Sequence, residues 1–252
     1  MQPTSAARFS DRVDDYRRYR PSYPDAAVEA VCRHLPERAT IADLGAGTGV
    51  FSALLLARGF RVYAVEPNEP MRLAAEAALG ANPHFTSIAA PAEATTLSAA
   101  SVDAVAAAQA FHWFDRDRVR AECRRILRPG GWAFILFNER QAASTSFLRA
   151  YEALLHERGT DYAQVDHRRI DDDALRAYYG HGDYESHTFD SSQTLDWEGL
   201  AGRVRSSSYV PAPGEDGHDA LMKALRALYD AHQEGGMVTI HYDTRLYSGQ
   251  LA

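Results

Sequence analysis

The sequence predicts an α/β fold: a doubly wound, mostly parallel seven-stranded sheet with a helical insertion over one edge. Three observations predict it. Short apolar runs alternate with helix-period segments from about residue 24 to 138. A turn with three glycines in five residues, Gly45 to Gly49, joins the first apolar run to a helix. The closing segment MVTIHYDTRLYSGQL alternates, is rich in β-branched and aromatic residues, and reads as a strand returning to the sheet. Short apolar strands separated by helices imply a parallel sheet covered on both faces.

The elements follow in order. Pro24 opens a helix whose apolar face is Ala26, Ala27, Ala30, Val31 and Leu35, and Pro36 stops it. TIADL is a strand, and VFSALLLARG a helix that Gly59 caps. Strand RVYAVE, helix PMRLAAEAALG, a short strand at FTSIAA and strand VDAVAAAQ come next. An arginine-rich helix spans about Arg116 to Leu127, RPGG makes a turn, and WAFILF is a strand. Residues 144–234 read mainly as helices, in SFLRAYEALLHERG, DDDALRAYYG, DWEGLAGRVRS and GHDALMKALRALYDAHQ, broken by a strand-like YESHTFD and the loop PAPGEDG. The expected organisation is one domain: an N-terminal lid over 1–24, a core over 25–143 and 235–252, and an inserted, mainly helical substrate cap over 144–234.

Composition narrows the function. A chain of 252 residues with 46% hydrophobic content buries a full core. A net charge of -7 counts against a nucleic-acid backbone as partner. Cys32 and Cys123 sit in helical contexts without metal-ligand spacing and are expected to be reduced, which suits a reducing compartment. The first twenty residues are charged and lack an apolar leader run, and no apolar run reaches membrane-spanning length, so a cytoplasmic protein is expected. No histidine pattern suggests a metal.

The stretch IADLGAGTGV carries the chemistry. A strand ending in Asp43 that turns through Gly45, Gly47 and Gly49 lets a ligand approach bare backbone. A tight turn with no ligand is the alternative. The spacing G-x-G-x-G brings the third glycine one position earlier than the dinucleotide fingerprint, and a carboxylate two residues before the first suits a cationic or amine-bearing ligand. Glu66, at the tip of the next strand, stands where an acid accepts hydrogen bonds from ribose hydroxyls. Together the two features point to a nucleoside.

At these residues the chain resembles a family. IADLGAGTG, VYAVEPNEPM, PAEATTL with SVDAVAAAQAFHWF, and ECRRILRPGGWAFILF are similar to the successive motifs of class I S-adenosylmethionine-dependent methyltransferases, a Rossmann-like fold. The FSDRVDDYRRYRPSYP start and the AFHWF strand end resemble the small-molecule branch that includes the trans-aconitate methyltransferase-like enzymes. The resemblance covers residues 9–138 strongly and the rest more loosely, through SSYVP and HYDTRLY.

The resemblance implies S-adenosyl-L-methionine as cofactor, with S-adenosyl-L-homocysteine as product, and methyl transfer to an O or N nucleophile of a small molecule. It implies that Asp43 and the Gly45, Gly47 and Gly49 backbone hold the methionyl end and Glu66 the ribose. Asn68 and Met71 would line the adenine side, Glu93 with Ala92 would read the adenine amino group, and Gln109 and Ala110 would face the sulfonium. Pro67 departs from many relatives. The aromatics Phe9, Tyr16, Tyr19 and Tyr23, interleaved with arginines, suit a lid over the cofactor, with Tyr19 and Arg20 touching it and Arg20 pairing with the methionyl carboxylate.

His112, at the carboxyl end of a strand, is the candidate base, with a packing role as the alternative. Trp113 is a candidate wall of the site. On the last strand His241, Asp243 and Arg245 share one face and Tyr242 the other. His241 is a second candidate base, and Tyr23, Trp113, Tyr209 and Arg245 are candidate acceptor contacts; Arg203 would suit an acidic acceptor. His156, His167, His181, His187, His218 and His232 read as ordinary surface residues. The rival readings are a catalytically silent cofactor-binding protein and, against the glycine spacing, a nicotinamide-dependent oxidoreductase.

Overall fold

The computed structural model describes residues 12–160, 162, 172–180 and 184–251. Phe9, His167 and His181 lie outside the described residues, as does the start of the proposed lid.

The chain alternates strand and helix as its hydrophobic pattern dictates. Helices α1 (Val13–Tyr19) and α2 (Asp25–Cys32) precede β1 (Thr40–Leu44). Then come α3 (Val50–Ala57), β2 (Arg61–Val65), α4 (Glu69–Leu79), β3 (Phe85–Ile88) and β4 (Val102–Ala108). A 3-10 turn (Phe111–Trp113) leads to α5 (Arg116–Ile126) and β5 (Leu127–Arg140). The last elements are α6 (Ser146–Arg158), α7 (Asp172–Tyr179), β6 (Tyr184–Leu195), α8 (Trp197–Arg205), α9 (His218–His232) and β7 (Val238–Gln250). Side chains start several helices: Asn68 accepts from the Met71 amide at 3.0 Å, Thr145 from Leu148 at 3.1 Å and Asp196 from Gly199 at 2.8 Å.

The seven strands lie in the order β3-β2-β1-β4-β5-β7-β6. The pairs β1–β2, β1–β4, β2–β3 and β4–β5 are parallel, whereas β7 runs antiparallel to both β5 and β6. The sheet is therefore mixed: parallel from β3 to β5 and antiparallel where β7 and β6 complete it. Two features differ from the expectation. RPGG lies within β5 as a break in the ladder, the β4 partner jumping from Leu127 to Trp132. YESHTFD belongs to a longer strand that reaches Leu195 along the edge.

Each face of the sheet carries its own core. Alternation along β5 sends Ala133, Ile135 and Phe137 to one side, with Val119, Cys123 and Ile126 of α5 and Tyr178 and Tyr179 of α7. Phe134 and Leu136 go to the other side, with Val28, Val31, Phe51 and Leu55 of α2 and α3. Burial of each such side chain contributes about 1.5–3 kcal/mol, so the central strands are held by both layers at once. A third core, with Leu148, Tyr151, Leu200, Val204, Leu225 and Ile240, joins α6, α8 and α9 to β7. Both cysteines are free. No described helix is long and apolar enough to cross a membrane.

The N-terminal segment is strapped to this helical layer. Arg12 donates to the carbonyls of Arg205 and Ser207 and, at 2.9 Å, of Val210; Arg20 donates to that of Ser206 at 2.8 Å. Arg205 pairs with Asp15 at 2.8 Å. Gly202 of α8 is where the strap comes closest, for any Cβ there would overlap the Tyr19 ring. Gly202→Ala sets two effects against each other: alanine favours a helix interior by about 0.5–1 kcal/mol, while the methyl group pushes α1 away. The expected result is an unchanged helical circular-dichroism signal with faster protease cleavage within the strap. Unchanged cleavage would mean that Tyr19 does not hold α1 down.

Candidate active site

The site forms where β1 ends. β2 flanks β1 on one side and β4 on the other, so the connections leave in opposite directions and open a crevice at the carboxyl ends. The glycine turn crosses that crevice. Gly45 and Ala46 donate to the Val65 carbonyl at 2.8 and 3.1 Å, fixing the loop to β2. Gly45 has φ +68°, and a Cβ would stand 2.6 Å from that of Ala110. Gly47, with φ +57°, has nothing within 4 Å of where a Cβ would be, which leaves open space above the backbone.

Two acids frame this opening. Glu66 accepts from the Gly47 amide with one oxygen and from the Asn68 amide with the other, each at 2.8 Å. Burial raises its pKa, and the two amides act in the opposite direction. Asp43 is buried; its Oδ2 accepts from Ser52 Oγ at 2.6 Å, while its Oδ1 has no hydrogen-bond partner. Burial pushes Asp43 up to about 6, with the Ser52 hydrogen bond opposing and the Glu66 charge adding. A buried carboxylate oxygen without a donor is costly, and a cationic ligand would satisfy it.

A cavity of about 220 Å³ runs beside these groups. Gly45, Gly47, Glu66, Asn68, Met71, Ala92, Glu93, Gln109, Ala110 and Trp113 all line it. Glu93 also accepts from the Asp115 amide at 2.9 Å. Gln109 holds φ +57° at the tip of β4 and donates to the Asn138 carbonyl at 3.1 Å. Left-handed backbone at a residue with a side chain is strained, and such strain clusters at functional sites. A second cavity of about 40 Å³ adjoins the first, with Arg20, Tyr23, Asp43 and Arg203 in its wall. Gly49 lines neither; its φ of +82° starts α3 beneath the loop.

Four sequence expectations are corrected. Tyr16, not Tyr19, lines both cavities; Tyr19 packs on Gly202 and donates to Glu198 at 3.3 Å. Arg20 lies over the Tyr16 ring at 4.7 Å, four residues on, so helical spacing would have picked Tyr16. His112 is not in the cavity wall: its ring lies against Trp113 at 4.7 Å and Phe137 at 5.9 Å, whereas Phe114 of the same segment lines the cavity. His241 and Arg245 alternate away from Tyr242, which is buried toward the helical layer. Arg245 pairs with Glu139 at 2.8 Å.

On the Tyr242 face lies a cluster in which the sequence named Tyr209 and Arg203 and missed Arg140. Arg140 donates to Tyr209 at 3.2 Å and pairs with Glu152 at 3.1 Å. Arg203 is buried and reaches Tyr242 at 3.4 Å and Ser207 at 3.1 Å. Asn138 was also missed: its amide donates to the Ser22 carbonyl at 3.1 Å and accepts from Thr244 at 2.6 Å, joining the strap to β5 and β7. Period-two alternation from Phe134 through Leu136 puts Asn138 and Arg140 on this face.

Comparison with known proteins accords with this geometry. A methyltransferase domain model matches residues 42–135. An uncharacterized methyltransferase of Mycobacterium tuberculosis is 42% identical over 132 residues, 52% of each chain. The putative type II methyltransferase of Anaeromyxobacter dehalogenans superposes with a TM-score of 0.71 at 28% identity, covering 92% of this chain and 98% of that one. Residues 42–135 thus match a methyltransferase domain, within a chain whose fold is that of the Anaeromyxobacter protein. A malonyl-[acyl-carrier protein] O-methyltransferase of Methylococcus capsulatus is 40% identical over 131 residues, 49% of this chain and 47% of that protein. The chain thus spans about half the length of the curated relatives it matches. Among the described residues no group of His, Cys, Asp or Glu side chains is placed to hold a metal.

Asp43 yields a pH prediction. Its carboxyl titrates higher in the fold, at about 6, than its ordinary 3.8. Ionisation therefore costs nothing below about pH 4, costs increasingly up to about 6, and stays constant above. Asp43→Asn should raise the stability of the ligand-free protein at pH 7.5 by about 1–3 kcal/mol and change it little at pH 4. Urea unfolding at the two pH values measures this; equal effects at both would contradict the burial argument.

Proposed function

We propose that this chain transfers a methyl group from S-adenosylmethionine to an oxygen or nitrogen of a small-molecule acceptor, in the small-molecule branch that its N-terminal and AFHWF motifs resemble. The single observation that carries this reading is the pair of adjoining cavities that brings together Glu66, the open Gly47 backbone and the unpartnered Asp43 oxygen. Those groups fit the cofactor. Glu66 has lone pairs left for ribose hydroxyls, Asp43 Oδ1 suits the methionyl ammonium, and Arg20 suits its carboxylate. Met71, Ala92 and Phe114 offer an apolar bed for the adenine.

The bound cofactor would supply a methyl group already activated by its sulfonium. The chain's own residues would then orient and exclude water. Orientation alone lowers such a barrier by roughly 7–11 kcal/mol. Gln109 and Ala110 would fix the reacting end, and the strap carrying Tyr16 and Arg20 would close over it. Oxygen as the acceptor atom is supported by the Methylococcus relative, named as an O-methyltransferase. A small acceptor accords with the net charge of -7, which disfavours a polyanion, and a cytoplasmic setting with the free cysteines.

Calorimetric titration with S-adenosylhomocysteine, with NAD(H) as control, tests the reading. Micromolar binding that Glu66→Ala weakens about 10- to 100-fold is expected, from loss of charge-assisted ribose hydrogen bonds. Binding of NAD(H) alone would overturn the proposal.

A further inference from the structure

The interior between β5, β7, α6 and α8 holds more positive than negative charge. Arg20, Arg140 and Arg203 all face Tyr209. Glu152 is the carboxylate that pairs with Arg140; among the described residues, neither Arg20 nor Arg203 has a carboxylate at ion-pair distance. The Nε–H groups of Arg20 and Arg140 are buried without a hydrogen-bond acceptor. A buried guanidinium with neither counter-ion nor full hydrogen bonding is expensive, so the arrangement fits a site built for an anion. On the reading above, the methionyl carboxylate satisfies Arg20 and leaves Arg203 with no negative partner.

We propose that Arg140 and Arg203 form a seat for an oxyanion carried by the acceptor, a carboxylate or a phosphate-type group, and that Tyr209 balances the seat by losing its proton when the seat is empty and regaining one from water when it fills. This rests on the methyltransferase reading for Arg20. Tyr209 is suited to the part because Arg140 Nη1 already donates to its hydroxyl at 3.2 Å, at the edge of the helical-layer core. Burial alone would push its pKa up; Arg140, Arg203 and Arg20 override that and bring it down to about 7. Its neighbours behave oppositely: burial pushes Tyr151 up to about 12 and Tyr162 higher still.

The other groups facing the seat are Glu152 from α6, Tyr162, and Tyr242 from β7. His156 adjoins them, its ring meeting that of Tyr162 at 4.8 Å. An anion beside Tyr209 disfavours its phenolate, so filling the seat takes up a proton above the tyrosine's pKa, and affinity falls as pH rises.

Succinate and sulfate serve as probes, since neither titrates above neutrality. Calorimetric titrations between pH 6.5 and 9.5, in two buffers of different ionisation heat, are run on the full chain with and without saturating S-adenosylhomocysteine. The wild type should bind at least one probe, with Kd rising about tenfold per pH unit above the Tyr209 pKa and uptake approaching one proton. Tyr209→Phe should bind with Kd independent of pH and no proton uptake, and should lack the tyrosinate ultraviolet difference signal that the wild type develops near neutrality. Arg203→Met should weaken binding at least tenfold and Arg203→Lys less, with the far-ultraviolet circular dichroism and the thermal transition reporting that each variant folds. Preference for succinate assigns a carboxylate acceptor and preference for sulfate a tetrahedral ester.

The proposal is overturned if neither anion binds in either state, or if Tyr209→Phe keeps the wild-type pH dependence, which would place the proton on a group other than Tyr209. Failure of the nucleoside to bind would instead strike the cofactor reading, and the nucleoside-free titrations would still judge the seat.

Discussion

β1 lies between β2 and β4, and the rest of the site follows from that placement. Chain leaving β1 and chain leaving β4 diverge, so a gap opens at their carboxyl ends that no side chain from the loop fills. The gap stays open because its rim is tied by backbone. The amides of Gly45 and Ala46 are committed to Val65, and those of Gly47 and Asn68 to the Glu66 carboxylate. Glu66 thus has a structural task before any ligand arrives, bracing the glycine loop against the start of α4. Across the gap Gln109 is kept in a left-handed conformation with its side chain on the Asn138 carbonyl, and Asn138 in turn holds the strap at Ser22.

Charge follows a division between the site and the scaffold. Away from the crevice, two carboxylates are fully engaged. Glu122 is held down to about 2, first by Arg125 and then by the hydroxyl and amide of Thr95. Asp103 accepts from the Thr40 amide and from Arg128. At the crevice the same protein leaves Asp43 Oδ1 and the Nε–H group of Arg20 without partners, and beside it that of Arg140 in the arginine and tyrosine cluster. These groups cost stability in the ligand-free fold, and they cluster where a zwitterionic nucleoside would meet an anionic acceptor.

Most of the fold is legible because it is written in local pattern. Gly59 and the apolar runs mark element ends and faces through short-range physics, and the sheet strands followed from them. The cavity wall was legible where a residue's place is set by backbone, as at Gly45, Gly47, Glu66 and Gln109. It was illegible where side-chain direction decides. Tyr16 and Tyr19 are both tyrosines of one short helix, and the contact of Tyr19 with Gly202, far along the chain, sends one to the cap and the other to the cavity. The alternation of β7 separated His241 and Arg245 from Tyr242, but which set meets the helical layer depends on the pairing of β7 with β5, which brings Tyr242 opposite Arg140. RPGG carried an unambiguous turn signal, and only the ladder shows that the strand continues through it.

The segment from Arg203 to Val210 serves two sides at once. Its carbonyls at Arg205, Ser206, Ser207 and Val210 receive the guanidinium groups of Arg12 and Arg20, so the strap is fastened to the carboxyl end of α8, where the helix dipole favours positive charge. Its side chains at Arg203 and Tyr209 point the other way, into the arginine and tyrosine cluster under the cap. Arg20 belongs to both sets, since it donates to Ser206 and also faces Tyr209. A change in charge at Tyr209 is therefore felt by the residue that anchors the strap. On the proposed reading, closure over a nucleoside and occupancy of the acceptor seat would be joined through this one short stretch of chain, without contact between the two ligands themselves.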